Sequence, residues 1–443
     1  MKIGKIIEFV KNNLFVLIVL ILAIYSYVLI YTIPFNSPPI RSDGLGYYVY
    51  LPAYLIYHDF SFQKTYHMMD STNSYIAGLY LDENGRYHDK YAIGEAIMIL
   101  PFFILAHITA IILGLSANGY SFVYQHSAGL AGLAYFIFGV IILKKFLEVY
   151  FSKKITLITL VIIIFGTDLF HYATYDSIFS HIFSFFLFSS FLYLTDSWYS
   201  RKTIKKSLLI GFVMGMIFIT RYPNALVWLV FPLYSLNILK IRNIKERFNL
   251  FFRENKKEIL IIICSLAAVI FIQLLSWKLS AGQWVIYSYD GEGFNFSNPQ
   301  IIELLFGVNK GLFFWSPALI FGIFGLFLYG KKEKLFWPSI LFFVLFVYVT
   351  SCWSTISYGG SYGSRVFVET MPIFAFWIAL FIKNLPGNRI LRISIYAILT
   401  VMVFITVIQM IGYWQGLIPF NGTTFDVWLK SSEYYTHFIF GWI

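Results

Sequence analysis

Four side chains stand where charge is costly and chemistry is available: Asp43, Lys90, Arg221 and Arg365, each at the edge of an apolar run. Asp43 lies in "RSDGLGYY", residues 41–48. A carboxylate held there can accept a proton from an incoming hydroxyl. Ser42 and Asp43 are equally good helix caps, and both readings stand on the sequence. Lys90 in "HDKYAIGEAIMILPFF", residues 88–103, either snorkels to lipid headgroups or joins a helix start in binding a phosphate. Arg365 follows the glycines of "YGGSYGSRVFVETMP", residues 358–372, which let backbone approach a ligand. It can hold phosphate bidentately, or pair with Glu369, or anchor in headgroups. Arg221 sits between two apolar runs in "ITRYPNALVWL". Arg41, Asp89, Asp176 and His181 are weaker candidates for hydrogen bonds to a sugar or an acceptor.

Asp168, His171, Asp176 and His181 in "TDLFHYATYDSIFSHIFSFF" could suggest a metal, but no HExxH or repeated His-x-His spacing supports one. Cys264 and Cys352 are the only cysteines, so neither a disulfide framework nor a thiolate site is expected. "LFGVNKGLFFWSP", residues 305–317, brings Lys310 back to the membrane after a loop bearing Trp284, Tyr287 and Tyr289. Aromatic rings stack on sugars, yet aromatics at an interface are also plain anchors.

The elements that must position these groups are apolar helices. Of 443 residues, 59% are hydrophobic and 12% charged, which excludes an ordinary soluble globule. The net charge of +11 comes from basic clusters between apolar runs, a pattern of membrane topology and not of nucleic-acid binding. Candidate spans lie at about 14–33, 92–113, 124–147, 155–172, 177–196, 207–221, 223–240, 258–279, 312–330, 335–352, 366–383 and 391–413.

Lys and Arg cluster at 144–154, 201–206, 240–257, 331–334 and 383–392, alternate connections that are expected to be cytoplasmic. Either the N-terminus is external or 92–113 does not cross fully, and Lys2, Lys5 and Lys11, packed before the first run, favour a cytoplasmic N-terminus. The expectation is therefore an all-α polytopic membrane protein with about 11 full spans and a juxtamembrane or re-entrant segment at 92–113. One transmembrane domain covers 1–443, with external loops 34–91 and 280–311 and an external tail 414–443. Arg41, Asp43, His58, Asp59, His88, Asp89, Lys90, Glu95, Asp168, His171, Asp176, His181, Arg221, Asp290, Glu292, Lys310 and Arg365 then collect at the outer side.

In this order, "RSDGLGYY", "DKYAIGEAIMILPFF", "YDSIFSHIFSFF", "GVNKGLFFWSP" and "GGSYGSRVFVETMP" resemble the GT-C superfamily of membrane glycosyltransferases, near the lipid-A aminoarabinose transferases and protein O-mannosyltransferases. The resemblance implies a cell-membrane enzyme that moves a sugar from a polyprenyl-phosphate carrier to an acceptor on the external face, whether lipid, glycan or protein. It implies that Asp43 is the first-loop catalytic aspartate and Lys90 a donor-phosphate ligand, although "KYAIG" stands where the family has a "KPPL"-like stretch. No DxD motif occurs, so no metal or other cofactor is expected. The alternative is a transporter or flippase of a lipid-linked saccharide, for which polar groups near the bilayer midplane and often an internal repeat are expected.

Overall fold

The computed structural model describes residues 2–32, 38–71, 78–234, 249, 251–289 and 291–431. The protein is all-α. Among the described residues the only sheet is a two-stranded hairpin, Leu79–Leu81 with Tyr87–Asp89. Six described helices are long and apolar enough to cross a membrane: Asn13–Thr32, Gly94–Ile112, Phe122–Glu148, Lys256–Ala281, Arg365–Lys383 and Arg389–Trp414. The other expected spans are helical but shorter, interrupted or, in Ser180–Ser200, less apolar. The 155–172 run divides at Gly166 into Lys153–Phe165 and Leu169–Thr174. The 312–330 run divides before Pro317 into Leu312–Trp315 and Leu319–Tyr329, because the residue preceding a proline is disfavoured in the helical region. Helices Ser180–Ser200, Ile204–Thr220 and Phe336–Ser351 supply further runs. Residues 235–240 of the 223–240 run, most of the basic 240–257 connection and Asp290 lie outside the described residues.

The buried apolar side chains form one continuous cluster. Of the six long apolar helices, Arg365–Lys383 is the most enclosed, with 94% of an 18-residue stretch buried, whereas in Arg389–Trp414 the share is 11%. Close helix approach depends on missing side chains. A Cβ at Gly132 would collide with the Ser177 carbonyl, and one at Gly94 would stand 2.5 Å from the Ile219 carbonyl. Only glycine lets backbone pass so near at these two positions.

The segment expected to be juxtamembrane or re-entrant, 92–113, is a continuous helix, Gly94–Ile112, of spanning length. Its neighbours describe an excursion that returns to where it began. Tyr27, late in the first helix, hydrogen-bonds His126, early in Phe122–Glu148, at 3.2 Å. The Ile40 amide donates to Gln125 at 2.8 Å. Helix Gly94–Ile112 then packs antiparallel on Phe122–Glu148, with Met98 against Tyr135 and His107 against Tyr124. The chain thus leaves the first helix and starts Phe122–Glu148 at the same end of the molecule. At the opposite end Tyr150, Asp196 and Tyr234 meet in a hydrogen-bonded cluster.

Candidate active site

Asp43 opens the helix Asp43–Leu55, and its Oδ2 lies 2.8 Å from Nη1 of Arg365. Ser42, at the cap position, makes no side-chain cap bond. Its φ of +47° is rare for a residue with a side chain and costs on the order of 1–3 kcal/mol. Arg41 and Asp43 flank this strained residue and have different partners.

Arg365 begins the 3-10 helix Arg365–Thr370, which leads into Met371–Lys383. The alternative pairing with Glu369 is not formed. A 3-10 helix repeats every three residues, so positions i and i+4 do not share a face as they would in an α-helix. Glu369 instead lies 3.0 Å from His181 Nδ1, with its Oε1 3.5 Å from Nε of Arg221. Nη1 of Arg221 stands 2.8 Å from His181 Nδ1 and 2.9 Å from Nε2. A neutral His181 protonated on Nδ1 donates to Glu369 and leaves Nε2 to accept from Arg221.

Lys90 follows the hairpin directly. The turn of that hairpin is closed by the Asp82 carboxylate, which accepts from the Asn84 and Arg86 amides, and the Lys90 amide donates to Gly78. The Lys90 ammonium forms an ion pair with Glu292 and lies 5.1 Å from the centre of the Tyr289 ring. Ser288 donates to the Lys90 carbonyl at 2.9 Å, so Ser288, Tyr289 and Glu292 all lie against this lysine.

Asp43, Lys90, His181, Arg221, Glu292 and Arg365 all line one cavity of about 470 Å³. Tyr47, Tyr289, Trp353 and Tyr358 add aromatic walls. A second groove of about 640 Å³, lined by apolar residues such as Met214, Leu226, Trp228 and Leu266, shares Tyr222, Pro223 and Phe294 with the first. A polar chamber and an apolar channel thus meet along a common wall.

Three of the weaker candidates lie off this cavity. Arg41 pairs with Asp176 at 3.1 Å and packs over the Tyr175 ring at 4.3 Å. Asp176 also accepts from His171 Nε2 at 2.9 Å, and Trp414 donates to His171 Nδ1 at 3.0 Å. Burial would raise the Asp176 carboxyl, but the His171 hydrogen bond and the Arg41 charge outweigh it and hold the group below the usual carboxylate range. Asp89 is buried beneath the hairpin, where its Oδ1 accepts from the Tyr91 amide at 2.8 Å. Burial, only partly offset by that bond, pushes the Asp89 carboxyl well up. Of these four candidates only His181 reaches the cavity. His171 and His181 belong to separate clusters, and among the described residues no group of three or more His, Cys, Asp or Glu is placed to hold a metal ion.

Glu292, Glu369 and Trp353 were given no site role on the sequence. Glu292 stood among several outer acids with nothing to single it out. Trp353 lies in "SCWSTISYGG", where the tryptophan looks like one more interfacial anchor. Comparison with protein-family models, with curated proteins and with solved structures finds no match for this chain.

Proposed function

We propose that this protein is an inverting glycosyltransferase that moves a sugar from a polyprenyl-phosphate carrier to an acceptor hydroxyl. The observation that carries the reading is the meeting of two carboxylates, Asp43 and Glu292, and three cations, contributed by distant segments, in a chamber that shares a wall with an apolar groove. The chamber suits a phosphosugar. The groove suits the first isoprene units of its lipid.

The acceptor oxygen attacks the anomeric carbon as the bond from that carbon to the phosphate oxygen breaks, and its proton passes to Asp43. The leaving polyprenyl phosphate gains negative charge in the transition state. Cations already in place stabilise that charge without reorganising. Lys90, Arg221 and Arg365 take this role. Arg365 also orients Asp43. An aspartate is a weak base for an alcohol, so Asp43 acts by aligning the hydroxyl and accepting its proton late.

The reading places the protein in a cell membrane with about 11 crossings, a cytoplasmic N-terminus and the chamber on the external face. Support comes from the alternation of helix ends: the first helix and Phe122–Glu148 meet at the chamber's end of the chain, so the 92–113 helix adds no change of side. Lys144 and Lys145 and the 201–206 cluster flank helix ends near the opposite Tyr150–Asp196–Tyr234 cluster. The GT-C resemblance points the same way.

The test is release of free polyprenyl phosphate when the purified protein is incubated with polyprenyl-phosphate sugars and candidate acceptors. Release is expected from the wild type and not from Asp43→Asn. Equal release by a correctly folded Asp43→Asn variant would reject the assignment.

A further inference from the structure

Lys310 is buried, 6% exposed, and has no part in the mechanism above. Its ammonium hydrogen-bonds the Ser361 carbonyl and, at 2.9 Å, the Phe420 carbonyl. The Phe420 carbonyl accepts a second bond, from the Ser361 amide at 2.9 Å. The neighbouring Asn309 accepts from the Thr423 amide at 3.1 Å. The short "VNK" stretch therefore grips two segments far away in sequence: the glycine-rich turn ahead of Arg365, and the chain beyond the last long helix.

We propose that Lys310 is a positioning residue that locks the glycine-rich turn, and with it Arg365, against Asp43. Both of its partners are neutral carbonyl oxygens, which is poor compensation for a buried charge. Burial, and then the charge of Arg365, pushes the Lys310 ammonium down to about 7. Stability alone would favour an apolar side chain here, whereas one lysine supplies several donors able to reach two carbonyls from two segments at once. The turn needs such a clamp. Gly359 and Gly363 have φ of +78° and +57°, and without side chains they leave the backbone freer than any other residue would. Further along, Tyr172 donates to the Tyr362 carbonyl at 3.0 Å and Tyr362 to the Thr406 carbonyl at 3.0 Å, which leaves Ser361 as the point held by Lys310.

The inference rests on the glycosyltransferase reading only for what Arg365 does. Its test has two arms. In the first, amide hydrogen exchange at Ser361 is compared in wild type, Lys310→Met and Arg365→Met. Exchange is expected to quicken about tenfold in Lys310→Met and to stay near wild type in Arg365→Met. Unchanged exchange in Lys310→Met overturns the clamp. In the second, binding of polyprenyl phosphate in detergent is measured for both variants and for the double variant. Lys310→Met and Arg365→Met are each expected to weaken binding about tenfold, and together by no more than Arg365→Met alone, as for residues acting in series. Multiplying effects would mark Lys310 as merely structural and reject its action through Arg365. If Lys310→Met does not fold, Lys310→Gln, which keeps an N–H donor for Ser361, takes its place with a smaller expected effect of the same sign. A wild type that fails to bind polyprenyl phosphate rejects the glycosyltransferase reading, and the exchange arm alone then decides the clamp.

Discussion

Two Arg–Asp pairs start two residues apart in the chain and end in opposite conditions. Arg41 pairs with Asp176, and Asp43 with Arg365. The first pair is saturated: Asp176 is 7% exposed, its two oxygens are taken by Arg41 and His171, and Arg41 lies over Tyr175. The second faces the chamber, and its Asp43 keeps 23% exposure and an oxygen outside the ion pair. Charge and residue type are the same in both. On the glycosyltransferase reading, what separates the structural pair from the reactive one is a carboxylate that faces open space, and Ser42, strained between Arg41 and Asp43, stands where the chain parts the two.

The comparison can be broken from either side. Asp43→Asn is expected to lower sugar transfer by about 10²–10⁴-fold, the range for a lost general base, with thermal unfolding in detergent close to wild type. Asp176→Ala should do the reverse. It takes the carboxylate from part-buried Arg41, which keeps the Tyr175 carbonyl, at a cost of about 3 kcal/mol, the low end for a broken buried pair, read as a lowered unfolding midpoint, and whatever protein stays folded should keep its turnover. If Asp176→Ala were stable but inactive, the division between the two pairs would fail.

A third test addresses the cations of the open region. Lys90→Met should weaken polyprenyl phosphate binding by about tenfold or more, since a charge-assisted bond is lost. Glu292→Gln should strengthen it several-fold, because the carboxylate now on Lys90 competes with an incoming phosphate. Looser binding by Glu292→Gln would mean that Glu292 orients the lysine for substrate. The smallest effect is expected at Asp89. Its carboxyl is raised by burial, so its contribution to stability is full below the ordinary aspartate value of about 4 and is lost as pH rises through the raised value. Asp89→Asn should flatten that part of the pH–stability curve and leave phosphate binding untouched. A drop in binding would return Asp89 to the site.

Much of the helical framework was legible because apolar length and basic clustering are properties of consecutive residues. Interruptions at Gly166 and Pro317 were less so, since hydropathy runs smoothly across them. Within the site, Asp43, Lys90, Arg221 and Arg365 stood out on the sequence as charges at helix ends, and the structure gathers them around one chamber. Arg41, Asp89 and Asp176 stood out for the same reason and lie elsewhere. Local sequence carries no sign of which charge a distant segment will neutralise.

The sequence by itself determined that this is an all-α chain of apolar helices with basic connections and a set of charges at helix ends, because burial of hydrocarbon and the cost of isolated charge act on each segment where it stands. Only the tertiary structure decided the pairings: Arg365 with Asp43 and not Glu369, Lys90 with Glu292, Arg41 with Asp176, and Lys310 with two carbonyls. Ion pairs and hydrogen bonds act over a few ångströms, and only folding sets which groups come within that range.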